Sequence, residues 1–131
     1  MRQEDKELLL RDLSARLSYG VKCQLNTNRK IPPLTLVKIS KTGGCSLTAS
    51  DITVITHDRT IEEIKPYLRP ISSMTEEERK EHRNTMSVVN ESFYVESLET
   101  FDFYNKRHID YRNLIRKGLA LEAEEGMYKF E

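Results

Sequence analysis

The side chains here with the chemistry for catalysis or metal binding are three histidines, two cysteines and a run of glutamates. His57, His82 and His108 stand far apart, with no HxxxH-type spacing, and Cys23 and Cys45 have no CxxC partner. A structural metal needs four such ligands brought together, so the sequence implies no metal and no cofactor. His57 and Asp58 are adjacent, but neighbours on a strand point to opposite faces. Glu76, Glu77 and Glu78 are consecutive, so on a helix they diverge and cannot form a paired acid and base. They read as a solvated first turn that complements the helix dipole. Ser72-Ser73 lacks a glycine elbow and a base, and Gly43-Gly44 is too short for a phosphate-binding loop. No pair of residues has both the chemistry and the spacing of an active site, so the reading is a non-catalytic protein.

The charge distribution is asymmetric. Between Asp12 and Asp51 there is no acid, while Arg16, Lys22, Arg29, Lys30, Lys38 and Lys41 fall in that interval. Residues 1–50 hold nine Lys/Arg against four Asp/Glu; residues 51–131 hold twelve against seventeen, although the net charge of the chain is zero. These six cations are the candidate nucleic-acid-binding or nucleotide-binding residues, because a basic β-surface can track phosphates. The competing reading is that they pair with the acidic second half or guard a sheet edge. Tyr19 is the one aromatic near them, so base-stacking platforms are missing.

The elements that must position these residues begin with an amphipathic helix over 4–18. Leu9, Leu13 and Leu17 recur at i, i+4 and i+8 with Leu10 beside them, and Gly20 is a left-handed cap. Val21 to Leu25 alternates, with Val21, Cys23 and Leu25 on one face. A turn or loop spans Thr27 to Pro33. Leu34 to Ile39 is apolar on both faces and should be a central or well-covered strand. Lys41 to Gly44 (KTGG) is a hairpin signal, followed by strands over Cys45 to Ala49 and Asp51 to Thr56. Short strands with tight turns suggest a small antiparallel sheet or a partly closed barrel, its open side covered by the first helix. Cys23 and Cys45 read as buried free thiols facing each other across that sheet.

The segment Thr60 to Arg79 divides the chain. Thr60 with Glu63, and Thr75 with Glu78, have the spacing of capping boxes, and Pro66 and Pro70 forbid one continuous helix between them. The expected order is a helical turn over Ile61 to Lys65, an extended piece over Pro66 to Ser73, then a very polar helix from Glu76 to Arg83. Asn84 to Glu91 is irregular or briefly extended. Phe93 to His108 is helix-like, with Leu98, Phe101, Tyr104 and His108 on one stripe and Ser97 as a cap. Asp110 caps a helix over Tyr111 to Lys117, Gly118 ends it, and residues 119–130 form a closing hairpin around Glu124-Glu125-Gly126. Helix followed by hairpin has the cadence of a winged helix, with Arg107, Arg112, Arg116 and Lys117 as its cations. The acids Glu122, Glu124 and Glu125 on the supposed wing favour a plain C-terminal cover packing Leu114, Ile115, Leu119 and Leu121 into the core.

The fold expected is therefore one α+β domain over 1–131: helix plus sheet over 1–58, a proline hinge over 59–79 and a helical cover over 80–131. Its length is enough for a core without metals or disulfides. Two cysteines make no disulfide framework. The start MRQEDKELLL lacks the apolar core of a secretory signal, and no stretch approaches a membrane span. The expectation is a cytosolic protein with reduced thiols and no membrane contact.

The pieces EDKELLLRDLSARLSYGVKC, IEEIKPYLRPISSMTEEER (61–79) and FYNKRHIDYRNLIRKGLALEAEEGMY (103–128) resemble a family of small uncharacterised proteins. That family is encoded by gut Bacteroidales bacteria and by their phages and integrated elements. The resemblance covers most of the chain outside about 26–57 and brings no catalytic or binding residues with it. It implies a cytosolic accessory protein of a phage or mobile element. Together with the absence of an active-site pattern, it points to a role in binding a protein partner or in self-association.

Overall fold

The computed structural model describes residues 1–27, 31–49 and 52–129. Helix α1 (Gln3–Arg16) is followed by a 3-10 turn over Leu17–Tyr19, which Gly20 ends in the left-handed conformation at φ 69°. Strands β1 (Lys22–Leu25), β2 (Leu34–Ile39), β3 (Gly44–Ala49) and β4 (Ile52–Thr60) form an antiparallel meander. β5 (Ile64–Leu68) then returns antiparallel beside β1. Strand β8 (Leu121–Glu122) is added parallel to β5, completing a mixed six-stranded sheet in the order β4-β3-β2-β1-β5-β8. The fold is α+β, with the N-terminal helix as expected.

This sheet cannot be flat. Four interstrand steps separate β4 from β5, roughly 19 Å in a flat sheet, whereas the four residue steps from Thr60 to Ile64 reach at most about 14 Å. The strands therefore curl until the ends of β4 and β5 approach each other. The 3-10 turn Ile61–Glu63 bridges them, and its residues bond to both sides. Ile61 N–H donates to Gly43 O (2.7 Å), and Glu63 O accepts from Asn26 N–H (2.7 Å). Among the described residues β4 and β5 do not pair, so no closed barrel forms. The inside of the curl holds Val21, Cys23, Leu25, Leu34, Leu36, Cys45, Leu47, Ile61, Ile64 and Leu68, and α1 covers it with Leu9 and Leu13. Both cysteines are free and buried there.

Both capping boxes in the 60–79 segment are present, and no helix crosses the prolines. The segment between the boxes is not a bare connector, however. Residues 64–68 form a strand of the main sheet, and the helical turn expected over Ile61 to Lys65 is cut to three residues. Pro66 is tolerated because β8 pairs only with Tyr67 and Leu68, leaving the flank of Pro66 away from β1 without a strand. A 3-10 turn over Ile71–Ser73 leads to helix α2 (Glu76–Thr85). The β2 expectation needs a similar correction. β2 is central in the sheet, but an irregularity between Leu36 and Lys38 turns Val37 out to solvent.

After α2 come a two-stranded sheet, β6 (Ser87–Asn90) and β7 (Phe93–Val95), and helix α3 (Leu98–Lys106), capped by Ser97 as expected. The helix expected from Phe93 thus begins five residues late, because Phe93–Val95 pairs with β6 instead. Asp110 does cap, accepting from Leu114 N–H (2.8 Å) and Ile115 N–H (3.0 Å). What it caps is a series of turns and not a helix, since Asn113 sits in the left-handed region at φ 59°. No closing hairpin or wing is found among the described residues. Leu121–Glu122 joins β5, and the Tyr128 hydroxyl pins the tail by accepting from Lys22 N–H (2.8 Å) and donating to Tyr67 O (2.7 Å). Phe130, the last residue of the expected hairpin, lies outside the described residues, as do Asp51 and residues 28–30 of the expected loop.

Candidate interaction surface

The six candidate cations do not form one surface. Arg16 is inside the protein, 0% exposed. Its guanidinium donates to both oxygens of Asp12 (2.9 and 3.1 Å), to Ile109 O (2.7 Å) and to Tyr104 O (3.3 Å). Asp12 also accepts from Arg112 (2.9 Å). With Leu9 and Leu13 flanking them at helical spacing, Asp12 and Arg16 share the buried face of α1 and tie it to the end of α3. Arg16 is therefore a structural ion pair and cannot reach a phosphate. Lys22, on β1, donates its ammonium to Met127 O (3.1 Å). Lys38 and Lys41 are exposed on β2 and on the β2–β3 turn. Arg29 and Lys30 lie outside the described residues.

The glutamate run is also corrected. Glu76 and Glu77 are solvated, but Glu78 is buried and accepts from both terminal nitrogens of Arg69 (2.7 and 2.8 Å). These bonds outweigh burial and hold its carboxyl at about 2. Two of the three histidines are structural: His82 Nε2 meets Tyr104 Oη (2.9 Å), and His108 Nε2 meets Tyr19 O (3.0 Å), while His57 lies on β4. Burial, together with nearby Arg16, lowers His108 to about 3, so its ring is neutral near pH 7. Burial pushes Cys45 up to about 11 and raises Cys23 further, so neither thiol has the thiolate character of a nucleophile. Among the described residues no three His, Cys, Asp or Glu side chains gather as a metal site, and no helix is long and apolar enough to cross a membrane.

What the structure adds is the β6–β7 hairpin. Every residue of both strands is exposed. Val88, Val89, Phe93, Tyr94 and Val95 are open to solvent, and Leu98 and Phe101 continue the apolar run onto α3, with Val88 at 65% and Leu98 at 85% exposure. Single exposed apolar residues are ordinary; seven between residues 88 and 101, spread over both faces of the hairpin and the start of α3, mark a contact surface. Periodicity missed it because the Leu98–Phe101–Tyr104–His108 stripe reads as a core face. Only its second half is one: Tyr104 and His108 are buried. The available signal was the Val88-Val89 and Phe93-Tyr94-Val95 pair of β-rich runs, separated by Asn90-Glu91-Ser92.

The outer edge of β6 is unguarded. Met86-Ser87-Val88-Val89-Asn90 has no charge and no proline, the usual means of blunting an exposed edge. Charge stands at its two ends instead: Glu91 at the hairpin tip and Arg83 in the last turn of α2, both exposed. No protein-family model, no curated protein and no solved structure matches the chain.

Proposed function

We propose that this chain is a non-catalytic interaction protein that self-associates by pairing β6 with β6 of a second copy. The observation that carries this is the uncovered β6–β7 hairpin. A two-stranded ribbon is marginal in water by itself, and this one has no cover on either face. Antiparallel pairing of β6 across a two-fold axis extends it to four strands in the order β7-β6-β6-β7. A two-fold interface uses the same patch twice, which suits a strand with no charge to repel its own copy. In that register Ser87 lies opposite Asn90 of the second copy, and Glu91 comes beside the end of its α2. There the carboxylate meets Arg83 and the negative end of the helix is relieved by that same arginine. An accessory role in a phage or mobile element belongs to this proposal and is supported by sequence resemblance alone.

The test is sedimentation equilibrium across a wide concentration range, with the wild type beside Val88→Lys/Val89→Lys. The wild type should reach the mass of two chains and the variant should stay at one, with unchanged circular dichroism. A wild type that remains single at millimolar concentration overturns the reading, and so does a variant that still pairs.

A further inference from the structure

An open cleft of about 430 Å³ lies between the turn after α1, the start of β1, the end of α3 and the C-terminal segment. Lys22, Lys106, Arg107 and Lys129 line it, and among the described residues no carboxylate does. In a chain with as many acids as bases, four cations around one cavity with no acid among the described lining residues make a concentrated positive field. Arg107 is partly spent on Glu81 (2.9 Å) and Glu78 (3.9 Å). Lys22, Lys106 and Lys129 make no ion pair among the described residues. We propose that this cleft binds a small molecule through a phosphate group held by the ammonium groups of Lys22, Lys106 and Lys129.

The back of the cleft is built and rigid. The His108 and Tyr128 rings stack at 4.0 Å with 24° between their planes. His108 is fixed through Tyr19 O, and Tyr128 is fixed through Lys22 N–H and Tyr67 O. Lys22 is held over the Tyr128 ring (5.9 Å) by its bond to Met127 O, and its ammonium keeps two further N–H groups for a ligand. Lys106 and Lys129 stand exposed at the rim. Three ammonium groups exceed the roughly −1.5 to −2 charge of a phosphate monoester near pH 7 and give its oxygens charge-assisted donors. The volume is that of a small-molecule site, and the exposed ring of Tyr19 offers a flat wall for a planar group. Of the four described cations in the basic interval, Lys22 alone lines the cleft; Lys106, Arg107 and Lys129 come from distant parts of the sequence.

The experiment is amide-shift NMR titration of the full chain at about 50 mM salt with AMP, inorganic phosphate, adenosine and a twelve-nucleotide single strand. Shifts confined to residues 19–22, 106–108 and 127–129 with AMP, and none with adenosine, are the expected result. Phosphate moving the same amides as tightly as AMP identifies free phosphate as the source; AMP binding at least tenfold tighter identifies a phosphate ester. Lys106→Gln/Lys129→Gln, both at exposed positions, should weaken binding at least tenfold without changing the melting temperature. Absence of shifts at 10 mM AMP, equal binding of adenosine, or an oligonucleotide binding more tightly than AMP each overturns the proposal.

Discussion

In the β2–β3 hairpin Leu34, Leu36, Cys45 and Leu47 face α1 and are closed off from water, whereas in the β6–β7 hairpin Val88, Val89, Phe93 and Tyr94 remain in it. Both are short antiparallel pairs of β-favouring residues, and local propensity does not separate them. The difference is what lies over them. The first hairpin belongs to a sheet forced to curl by the three-residue bridge between β4 and β5, with α1 across the opening. The second leaves α2 and returns to α3 with nothing laid on it. A strand pattern specifies pairing; the cover is a property of the chain elsewhere.

The largest expected effect is on the covered side. Asp12→Ala should remove the partner of a fully buried arginine and cost about 3–5 kcal/mol, visible as a much lower urea midpoint. Replacing the inward side chain of β3, Leu47→Ala, should cost about 2–5 kcal/mol through lost burial and the cavity left behind. If either variant unfolds at the wild-type midpoint, the curled sheet is not the core.

An effect that is smaller per unit of change comes from pH at His108, which follows α3 and bonds back to Tyr19 O. His108 is neutral and buried in the folded protein, with Arg16, Arg69 and Lys22 all opposing its charging. Its folded value is about 3 against 6.5 unfolded, so the unfolded chain binds the extra proton in that window. Stability from this residue is complete above pH 6.5 and falls as pH drops toward 3, by at most about 1.4 kcal/mol per pH unit. Glu78 works in the same direction lower down: its depressed carboxyl stabilises above 4.5 and loses that contribution as pH falls toward about 2. His108→Asn tolerates the left-handed backbone at φ 58° and should flatten the dependence between pH 6.5 and 4.5. Urea titrations at four pH values would show it; an unchanged slope means His108 is not the group responsible.

How much of this was legible in the sequence follows the same division. The α1 helix, Gly20, the KTGG turn, both capping boxes and the Ser97 cap were readable because each depends on residues within a turn of one another. The fate of Arg16 was half readable. Read as a phosphate-binding cation, it nevertheless has an i, i+4 spacing from Asp12 beside Leu9 and Leu13 that signals the buried face of α1; the carbonyls of Tyr104 and Ile109, some ninety residues on, make that burial tolerable. The parallel β5–β8 pair and the cationic cleft join residues far apart in the sequence, and nothing local announces them. The expected C-terminal hairpin failed for a related reason. Leu121 and Glu122 alternate as a strand should, but the partner they find is β5 and not the segment after Gly126.

The smallest predicted effect is the one that distinguishes the hairpins most sharply. Val88→Ser removes an apolar side chain from a position already exposed to water, so it leaves no cavity and strands no buried group. Substitutions of that kind usually stay within about 0.5 kcal/mol. In dilute protein the melting temperature should therefore barely move, in contrast to Leu47→Ala at a residue of similar size and chemistry. The contrast should shrink as concentration rises, because a second copy covering β6 adds a binding contribution to the stability of the wild type that the variant lacks. Melting curves of both proteins over a hundredfold concentration range read this directly. If the wild type gains no stability over that range, β6 is an edge with no copy of itself upon it.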